Sequence, residues 1–502
     1  MKIFSANQIA AWDKYTIEKT PIPSIDLMER AAQVCVDWFL KRFEPSIQVS
    51  IICGTGNNGG DGLAIARLLH AHLFEPVVYI VGDTEKSSAD FAENLKRLNQ
   101  INTLKVVMIS KIDDLSLEPG TVVIDAIFGT GLNKPLSGIF ELIARKINNS
   151  KCSIISIDLP SGLFADSESV GNTVVHSTYT LTFQTPKLSL LLPENSSYTG
   201  NFEVLDIGLS EEFHNNTPSN HYFLTKSDVE GKLKRRDTFS HKGNFGHAFI
   251  VAGSYGKSGA ALLATQAALR SGCGLVTIQT PACGYNVIQT AAPEAMLDPD
   301  VQPYELSETK NLQKYQAVGI GPGIGTSLQV TKMLRGYLEL RKPLILDADA
   351  INILALLLKA DSGFILPANS ILTPHPGEFE RLVGKWENSF EKMDLLQNFC
   401  KMHKVYVILK GAFSIIATPS GQLIFNSTGN PGMAKGGSGD VLTGLLAGIL
   451  AQGYPALEAC KLSVFIHGLA GDMAKKDLGE TAMKSGDIID YLAKAFIDIS
   501  DG

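Results

Sequence analysis

The chain has 502 residues, of which 45% are hydrophobic and 19% are charged, and its net charge is −7. This composition is typical of folded globular proteins, and the length exceeds what one hydrophobic core usually serves, so we expect two domains. The excess of acidic residues argues against a nucleic acid or an anionic membrane as a partner. The longest apolar stretches are shorter than the roughly 18 residues that a membrane span requires.

The seven cysteines form no C-x-x-C pair, and most lie in apolar segments. This pattern fits buried thiols in a reducing compartment. The first residues contain no uninterrupted apolar run, and they predict a helix capped by Ser5 or Asn7 rather than a secretory signal. We therefore expect a cytoplasmic protein.

From residue 49 onward, short β-rich runs alternate with helical patterns. The predicted strands are VSIIC, PVVYIVG, KVVMI, TVVIDAIFG and CSIISIDLP, and the predicted helices cover 62–73, 89–100 and 137–147. Such alternation predicts a parallel sheet with helices on both faces. Sheets of this kind carry their chemistry in the loops that follow the strands.

The stretch GTGNNGGDG at 54–62 follows the first predicted strand. Its glycines have the G-x-G-x-x-G spacing of a dinucleotide-binding loop, and a helix that starts there would direct free N–H groups toward an anion. A tight turn with Asp61 as the helix N-cap explains the same residues without a ligand. The oxygen-rich side chains of Asn57, Asn58 and Asp61, and the late start of the predicted helix, argue against a hydride-transfer enzyme.

Two further predicted strand ends carry carboxylates, namely Asp125 in VVIDAIFGTGLNKPLSG and Asp158 in SIISIDLPSG. The loops that follow these strands should converge with the glycine-rich loop at one edge of the sheet. Oxygens of Asn58, Asp125 and Ser161 would form a site for a hard cation, and the absence of nearby His or Cys argues against zinc. Taken singly, each aspartate is explained equally well as a loop cap.

The motifs NNGGDG, DAIFGTGL and DLPSG, with LMERAA at 27–32, resemble the epimerase domain of the NAD(P)H-hydrate repair proteins over about residues 1–210. The resemblance implies a Rossmann-like domain in which Asn58, Asp125 and Ser161 bind potassium. It also implies that Asp158 acts on the substrate, with Lys134 as a second catalytic candidate. The residues implied to bind the hydrated nucleotide are Asn57, Asn58, Gly59, Gly60, Asp61, Gly129, Thr130, Gly131, Leu132, Asn133 and Pro135. In the hydrate, C6 carries a hydroxyl beside the ring nitrogen, and Asp158 is predicted to move the proton that scrambles this centre.

The stretch LSEEFHNNTPSNHYFL at 209–224 is polar and offers few residues for a core. We predict a first domain of residues 1–212, a linker at 213–224 and a second domain of residues 225–502. The alternation of strands and helices then restarts with HAFIVAG, SGAALLATQAALRSG, GLVTIQT, AVGIGPGIG, PLILDADAIN, SILTPHPGEF, VYVILKG and LLAGILAQG. The repeat of about 20–50 residues that marks a solenoid is missing, so two α/β domains are expected.

Two glycine-rich stretches of the second half suggest phosphate sites. The first, Gly256-Lys257-Ser258, has Val251 where a Walker loop requires glycine, so Lys257 is not assigned to a phosphate. The second is NSTGNPGMAKGGSGDVLTGLLAGILAQG at 426–453, where glycines precede an apolar helix and Asp440 lies at its start. Such a backbone binds anions, and a carboxylate beside it can deprotonate a hydroxyl during phosphoryl transfer. A glycine turn with Asp440 as N-cap is the alternative.

Four further motifs, GIGPGIG, DADAIN, TPHPGEF and KGAFS, follow apolar runs and should lie at one rim of the sheet. With HKGNFGHAFIVAG, they resemble the dehydratase domain of the same repair proteins, a member of the ribokinase-like superfamily, over about residues 225–502. The resemblance implies that Asp440 is the base and that magnesium binds with the phosphates. It implies adenine-nucleotide contacts from Lys410, Gly411, Ala412, Phe413, Ser414 and Gly439, and hydrate contacts from Ala260, Gly323, His375 and Asp440.

These observations predict a bifunctional enzyme that epimerises NAD(P)H hydrate and dehydrates its S form at the expense of ADP. Phosphorylation of the C6 hydroxyl would turn a poor leaving group into phosphate. The expected ligands are potassium in the first domain and magnesium with ADP in the second, and the chain is expected to form a homo-oligomer. The alternatives are a ribokinase-like vitamin kinase fused to a nucleotide-binding module, a nicotinamide dehydrogenase, and a first domain that binds without catalysing. A stable phosphorylated product would favour the kinase.

Overall fold

A computed structural model of the chain describes residues 1–20, 22–361 and 363–500. The chain divides into two compact units, Lys2–Ser219 and Asn220–Gly502 with Met1, which we call the first and second domains. Within the described residues, none of the helices combines the length and the apolar character needed to span a membrane.

The described residues of the first domain form a seven-stranded sheet flanked by helices. Its strands are β1 (Val49–Cys53), β2 (Val77–Val81), β3 (Lys105–Ile109), β4 (Val122–Ala126), β5 (Ser153–Ile157), β6 (Tyr179–Phe183) and β7 (Asn201–Leu205). Its helices are α1 (Ala6–Lys19), α2 (Ser24–Leu40), α3 (Asn57–Ala71), α4 (Ala89–Asn99), α5 (Ile139–Asn149), α6 (Ser196–Thr199) and α7 (Glu211–Asn216).

All neighbouring strands of this sheet are parallel, in the order β3-β2-β1-β4-β5-β6-β7. The order confirms the predicted Rossmann-like sheet. Strands β1 to β3 are added toward one edge of the sheet and β4 to β7 toward the other, so the strand order reverses between β1 and β4. Strand β1 is buried along its whole length. Ile51 belongs to the core shared with Leu63 of α3, and Ile52 to the core shared with Ile143 of α5, because helices cover both faces of the sheet.

Helix α3 begins at Asn57 with Gly56 as its N-cap, five residues before the predicted start. Asp61 therefore lies inside the helix and is not its cap. The early start depends on Gly59, where an added Cβ would lie 1.8 Å from the carbonyl oxygen of Gly54. The glycines at 54 and 59 are thus required by the packing of the helix on the end of β1. The predicted cap of α1 is confirmed, since Ser5 caps that helix in a capping box.

The described residues of the second domain form a ten-stranded sheet. Its strands are β8 (His221–Leu224), β9 (His247–Val251), β10 (Leu275–Gln279), β11 (Met296–Leu297), β12 (Ala317–Ile320), β13 (Ile345–Leu346), β14 (Ile371–Leu372), β15 (Tyr406–Leu409), β16 (Ile415–Ala417) and β17 (Leu423–Asn426). Its helices are α8 (Lys226–Val229), α9 (Ser258–Arg270), α10 (Tyr285–Ala291), α11 (Leu328–Glu339), α12 (Ala348–Ala360), α13 (Pro376–Val383), α14 (Ser389–His403), α15 (Ser438–Ala451), α16 (Ala456–Ala482) and α17 (Ser485–Ser500).

The strands of this sheet run in the order β11-β10-β9-β12-β13-β14-β15-β16-β17-β8. Neighbours are parallel except that β16 is antiparallel to both β15 and β17. The order reverses between β9 and β12, so this domain also has a crevice at a reversal point. Helix α15 is apolar on nearly all sides and is buried in the core that contains residues of α9 and α16.

The segment predicted as a linker is more ordered than its composition suggests. Just before this segment, Leu209 is buried in the core with Phe4 and Trp12. Within the segment, the ring of Phe213 stacks on Trp12 at a centroid distance of 6.1 Å. Residues 221–224 form β8, which pairs with β17 of the second domain. A few isolated apolar side chains are sufficient anchors here because α1 supplies the rest of the core.

Candidate active sites

A cavity of about 670 Å³ lies at the C-terminal end of the first domain's sheet, with walls from the loops after β1, β4 and β5. This is the reversal point of the strand order, where ligands of open parallel sheets bind, and the volume is that of a small-molecule site. Most of the predicted nucleotide-binding residues line it: Asn57, Asn58, Asp61, Gly129, Thr130, Gly131, Leu132 and Asn133.

Four of the residues predicted to bind the nucleotide or to catalyse the reaction lie elsewhere. Gly59 and Gly60 are buried in α3 behind the cavity wall, where an added Cβ on Gly60 would collide with Met28. Lys134 and Pro135 are exposed on the loop after β4 and are not part of the described lining. The predicted catalytic Lys134 is therefore not among the described residues that line the cavity around Asp158.

Asp158 is paired with a lysine that the sequence reasoning missed. Lys187 Nζ lies 2.5 Å from Asp158 Oδ1, and the lysine side chain is 1% exposed. Lys187 also donates hydrogen bonds to Thr182 Oγ1 and to the carbonyl oxygen of Phe183, so its ammonium is held in one position. Lys187 lies four residues after the end of β6 at Phe183, and this strand, YTLTF, lacks the continuous apolar run that identified the strand-end aspartates.

The backbone of Asp158 is in the left-handed region, with φ of +66°, where aspartate is tolerated better than most residues. Its Oδ2 accepts a hydrogen bond of 3.0 Å from the Thr130 N–H. Burial raises the pKa of Asp158, but the Lys187 ammonium and these hydrogen bonds outweigh burial and hold the pKa below its usual value. Asp158 is therefore ionised near neutral pH. Gly129 has little room for a side chain, because an added Cβ would lie 2.9 Å from Asp158 Oδ2.

Three more aspartates line the same cavity, namely Asp13, Asp61 and Asp166. Asp13 comes from α1, and burial together with the charge of Asp158 raises its pKa to about 6. Burial also raises the pKa of Asp61, with further contributions from Asp158 and Asp13. The ionised Asp158 thus shares the cavity with two aspartates, Asp13 and Asp61, that hold protons more readily. Asp13 was not predicted, because a helix that packs at the sheet edge gives no strand-end signal.

Two of the three proposed cation ligands, Asp125 and Ser161, are in direct contact. Asp125 is fully buried and accepts hydrogen bonds from Ser156 Oγ, Ser161 N and Ser161 Oγ, at 2.7, 2.9 and 2.6 Å. Ser161 Oγ lies 3.2 Å from the carbonyl oxygen of Phe128. Burial raises the pKa of Asp125 despite these donors, and the donors are all neutral. The buried Asn58 Nδ2 has no hydrogen-bond partner among the described atoms.

These residues fit a monovalent cation. Carboxylate, hydroxyl, carbonyl and amide oxygens are ligands for hard cations, and one positive charge would balance the buried carboxylate of Asp125. In the described parts of the chain, no three His, Cys, Asp or Glu side chains come together as in a transition-metal site.

In the second domain, the ends of β13 and β15 meet around a second buried ion pair. Lys410 Nζ lies 2.8 Å from Asp347 Oδ1, and Thr443 Oγ1 of α15 donates a hydrogen bond of 2.8 Å to Asp347 Oδ2. Burial opposes the charges of both partners, but their attraction dominates, so the pKa of Asp347 is lowered and that of Lys410 is raised. Gly439 faces this pair, since an added Cβ would lie 3.1 Å from Lys410 Nζ. Asp347 and Thr443 were not among the predicted site residues.

Asp440 lies in the first turn of α15, whose N-cap is Gly437, so the alternative of Asp440 as N-cap is wrong. Burial and the charge of Asp347 raise the pKa of Asp440 to about 6, against the opposing effect of Lys410. A carboxylate with such a pKa accepts a proton near neutral pH more readily than an exposed aspartate.

His375 has a structural contact of its own, because its Nδ1 accepts hydrogen bonds from the N–H groups of Gly377 and Glu378 at the start of α13. The ring is 52% exposed, and Nε2 lies 3.4 Å from Glu378 Oε1. Glu378 Oε2 lies 4.0 Å from Lys410 Nζ. His375 therefore caps α13. Glu378 lies between His375 and Lys410 of the ion pair.

Ala260 and Gly323 meet where the strand order reverses. An added Cβ on Gly323 would lie 3.2 Å from Ala260 Cβ and 3.1 Å from Lys257 Cβ, and the φ of Gly323 is +66°. Lys257 Nζ lies 3.3 Å from Asp349 Oδ2. The remaining predicted segment, 411–414, is the turn between β15 and β16, in which Ser414 Oγ accepts a hydrogen bond from the Gly411 N–H.

The fold and these two sites define a two-domain α/β protein, with a Rossmann-like domain followed by a ribokinase-like domain. The family model for the YjeF-related protein N-terminus matches residues 24–189, and the model described as NAD(P)H-hydrate dehydratase matches residues 248–494. The chain is similar to the bifunctional NAD(P)H-hydrate repair enzyme of Moorella thermoacetica, with 34% identity over 98% of this chain and 96% of the relative. The chain belongs to the family of bifunctional NAD(P)H-hydrate repair enzymes.

Two solved structures resemble the second domain. A ribokinase-like superfamily protein from Enterococcus faecalis has 26% sequence identity and a TM-score of 0.50, and the match covers 57% of this chain and 99% of that protein. An ADP/ATP-dependent NAD(P)H-hydrate dehydratase from Bacillus subtilis, co-crystallized with ATP/Mg²⁺, has 31% identity and a TM-score of 0.49 and covers 56% of this chain and 99% of its own. The first of these supports the ribokinase-like fold.

Proposed function

We propose that the chain repairs hydrated nicotinamide nucleotides in two steps. The first domain interconverts the R and S forms of NAD(P)H hydrate, and the second dehydrates the S form with ADP as the phosphoryl donor, which yields NAD(P)H, AMP and phosphate. The observation that carries the proposal is that each domain holds an aspartate close to a largely buried lysine at its strand ends. These groups are Asp158 with Lys187 and Asp440 near Lys410.

In the first step, Asp158 is the proton-transfer group. Opening of the C6–N bond moves the hydroxyl proton to the ring nitrogen, whereas loss of water adds a proton to the hydroxyl. Both routes are reversible, and closure on the other face inverts C6. In the ring-opening route, an ionised Asp158 accepts the hydroxyl proton and passes it to the ring nitrogen, and it reverses this transfer on closure. In the loss of water, the proton on the leaving hydroxyl comes from a protonated carboxyl group. Lys187 keeps Asp158 ionised between turnovers, and Asp13, whose pKa is about 6, is a second proton donor in the same cavity.

Potassium is the cation that we propose for the cluster of Asn58, Asp125 and Ser161. It would supply the positive charge that the buried Asp125 carboxylate lacks. Asp125 and Ser161 in turn hold the loop after β4, through the hydrogen bond from the Phe128 N–H to Ser161 Oγ. This contact positions the cavity wall formed by Gly129 and Thr130.

In the second step, Asp440 deprotonates the C6 hydroxyl as its oxygen attacks the terminal phosphoryl group of ADP. A C6–O–P linkage forms and the bond to AMP breaks. The lone pair of the ring nitrogen then expels phosphate, and loss of a ring proton restores the dihydropyridine. Magnesium on the phosphates would offset their charge. Asp347 and Glu378 are oxygen donors of the kind magnesium prefers, usually through water, and they would hold its water shell.

The test uses purified full-length protein with NADH hydrate and ADP, ATP or no nucleotide. We expect nucleotide-dependent recovery of NADH absorbance together with release of phosphate, and interconversion of R and S hydrates without nucleotide. Asp158→Asn should lose interconversion but still dehydrate pure S hydrate, and Asp440→Asn should show the reverse. Accumulation of a stable phosphorylated product would contradict the proposal and favour a small-molecule kinase. Self-association of the chain and a cytoplasmic location stay predictions from the sequence.

A further inference from the structure

A second cavity in the second domain lies beside the residues proposed to hold the hydrate. It has a volume of about 380 Å³ and is formed by three loops, after β9, before α11 and around Tyr304. This volume lies within the range of about 300–1,000 Å³ that small-molecule sites have. Two of these loops also form the crevice at the reversal of the strand order between β9 and β12, where the Gly253 N–H donates a hydrogen bond to the Pro322 carbonyl oxygen.

Two tyrosines at this cavity are exposed although both have large apolar rings. Tyr255 is 72% exposed and Tyr304 is 61% exposed. Their ring centroids are 5.1 Å apart in an edge-to-face arrangement, and the Tyr255 N–H donates to the Tyr304 carbonyl oxygen at 2.9 Å. The backbone contact holds the two loops together, so that the two rings lie side by side at the cavity. Aromatic side chains of this kind stack against nucleobases regardless of base identity.

Contacts lead from this cavity to Asp349 and Lys257. The Gly325 N–H of the cavity wall donates a hydrogen bond of 2.8 Å to Asp349 Oδ2, and Lys257 Nζ lies 3.3 Å from the same oxygen. Asp349 is near enough to Asp440 to contribute to its raised pKa, after burial and Asp347. Along this path lie first the proposed base Asp440, then the cation of Lys257, and then the aromatic rings of the two tyrosines. A hydrated dinucleotide has its parts in the same order, with the reacting ring, the pyrophosphate and the adenine.

We propose that this cavity binds the adenosine end of the hydrated dinucleotide. The adenine stacks on the face of one tyrosine ring and contacts the edge of the other, because the two rings are 81° apart. Lys257 offsets the charge of the pyrophosphate while the C6 hydroxyl lies at Asp440. The inference rests on the proposed dehydratase function. It assigns a binding site to the adenosine of the substrate, which contributes to affinity. It assigns Lys257 a role that does not depend on a Walker motif.

The test compares two substrates of the same reaction in the full-length protein. One is (S)-NADH hydrate, and the other is the hydrate of reduced nicotinamide mononucleotide, which lacks the adenosine. Because stacking of one base contributes roughly 1–3 kcal/mol by alanine substitution, Tyr255→Ala and Tyr304→Ala should each raise KM for NADH hydrate about tenfold. Their kcat, and their KM for the mononucleotide hydrate, should match the unmodified protein.

Phe239→Ala is the matched control, because Phe239 is 96% exposed and is not part of this cavity. It should leave both KM values unchanged. Equal increases in KM for both substrates would mean that the tyrosines support the fold of the site, and unchanged KM values would mean that the adenine binds elsewhere. Either outcome overturns the inference while the dehydratase function stands. Failure of the unmodified protein to restore NADH would instead overturn the proposed function and this inference with it.

Discussion

Replacing Lys187 with methionine removes one half of the buried ion pair at the cavity of the first domain. Lys187 Nζ lies 2.5 Å from Asp158 Oδ1, and the two side chains are 1% and 11% exposed. In the variant, Asp158 stays buried and keeps the hydrogen bond from the Thr130 N–H. Breaking a buried pair by removing one partner costs about 3–5 kcal/mol, unless the remaining group gives up its charge.

Asp158 gives up its charge by binding a proton, because the burial that raises its pKa is then no longer outweighed. A pKa raised above the unfolded value means that the folded variant binds the proton more tightly than the unfolded chain does. The variant is therefore destabilised most at neutral and higher pH, and the deficit disappears as the pH falls below the unfolded pKa. In the unmodified protein the sign is opposite, since the lowered pKa of Asp158 contributes stability that is lost in acid.

The expected result for catalysis is a loss of about 100-fold or more in the rate of R-to-S interconversion at neutral pH, the order of effect of one general acid–base group. Part of the rate should return at alkaline pH, where Asp158 ionises again. The assay follows pure R hydrate by NMR from acidic to alkaline pH. ADP-dependent dehydration of S hydrate by the same variant reports on the integrity of the second domain.

Two further variants separate the role in catalysis from a role in folding. Lys187→Arg keeps the charge and should retain a rate between those of the unmodified protein and the methionine variant. Lys187→Met combined with Asp158→Asn leaves no buried charge unpaired, so its unfolding free energy should exceed that of Lys187→Met alone. An unchanged rate and pH profile for Lys187→Met would refute the reasoning.

Three other predictions concern both domains. Because the pKa of Asp440 is about 6 and the base must be ionised, kcat/KM for dehydration should rise with pH up to about 6 and then level off; a flat profile through that range would contradict the assignment. Gly59→Ala places a Cβ 1.8 Å from the Gly54 carbonyl oxygen, which should lower the free energy of unfolding by about 3 kcal/mol in thermal denaturation; equal stability would mean that α3 shifts freely. Exchange of potassium for a bulky organic cation should reduce the rate of interconversion but not that of dehydration. Asp125→Asn should remove this dependence on potassium. A cation-independent rate of interconversion in the unmodified protein would exclude the site.

The pattern of apolar runs predicted the α/β fold and most strands correctly. Buried parallel strands must be apolar on both faces, and their order along the chain is visible without any tertiary information. The same rule located Asp125, Asp158 and Lys410, because polar residues at the carboxyl ends of such strands come together at one edge of the sheet.

Contacts between distant segments were not predictable in this way. Asp13 reaches the first cavity from α1, and the sequence of an amphipathic helix does not specify which strand ends it faces. The start of α3 at Asn57 depends on the approach of Gly59 to Gly54, which overrides the low helix propensity of the glycines. Phe213 finds its core partner in Trp12, about 200 residues earlier in the chain.

The sequence by itself determined that there are two α/β domains, that carboxylates follow their strands, and that the motifs resemble one repair family. Those properties are local, since they depend on which residues follow one another. Only the tertiary structure decided that Lys187 rather than Lys134 lies beside Asp158, that Lys410 pairs with Asp347, and that two exposed tyrosines lie beside the second site. Ionisation of a buried carboxylate depends on the charges within a few ångströms of it, and those neighbours are set by packing rather than by position along the chain.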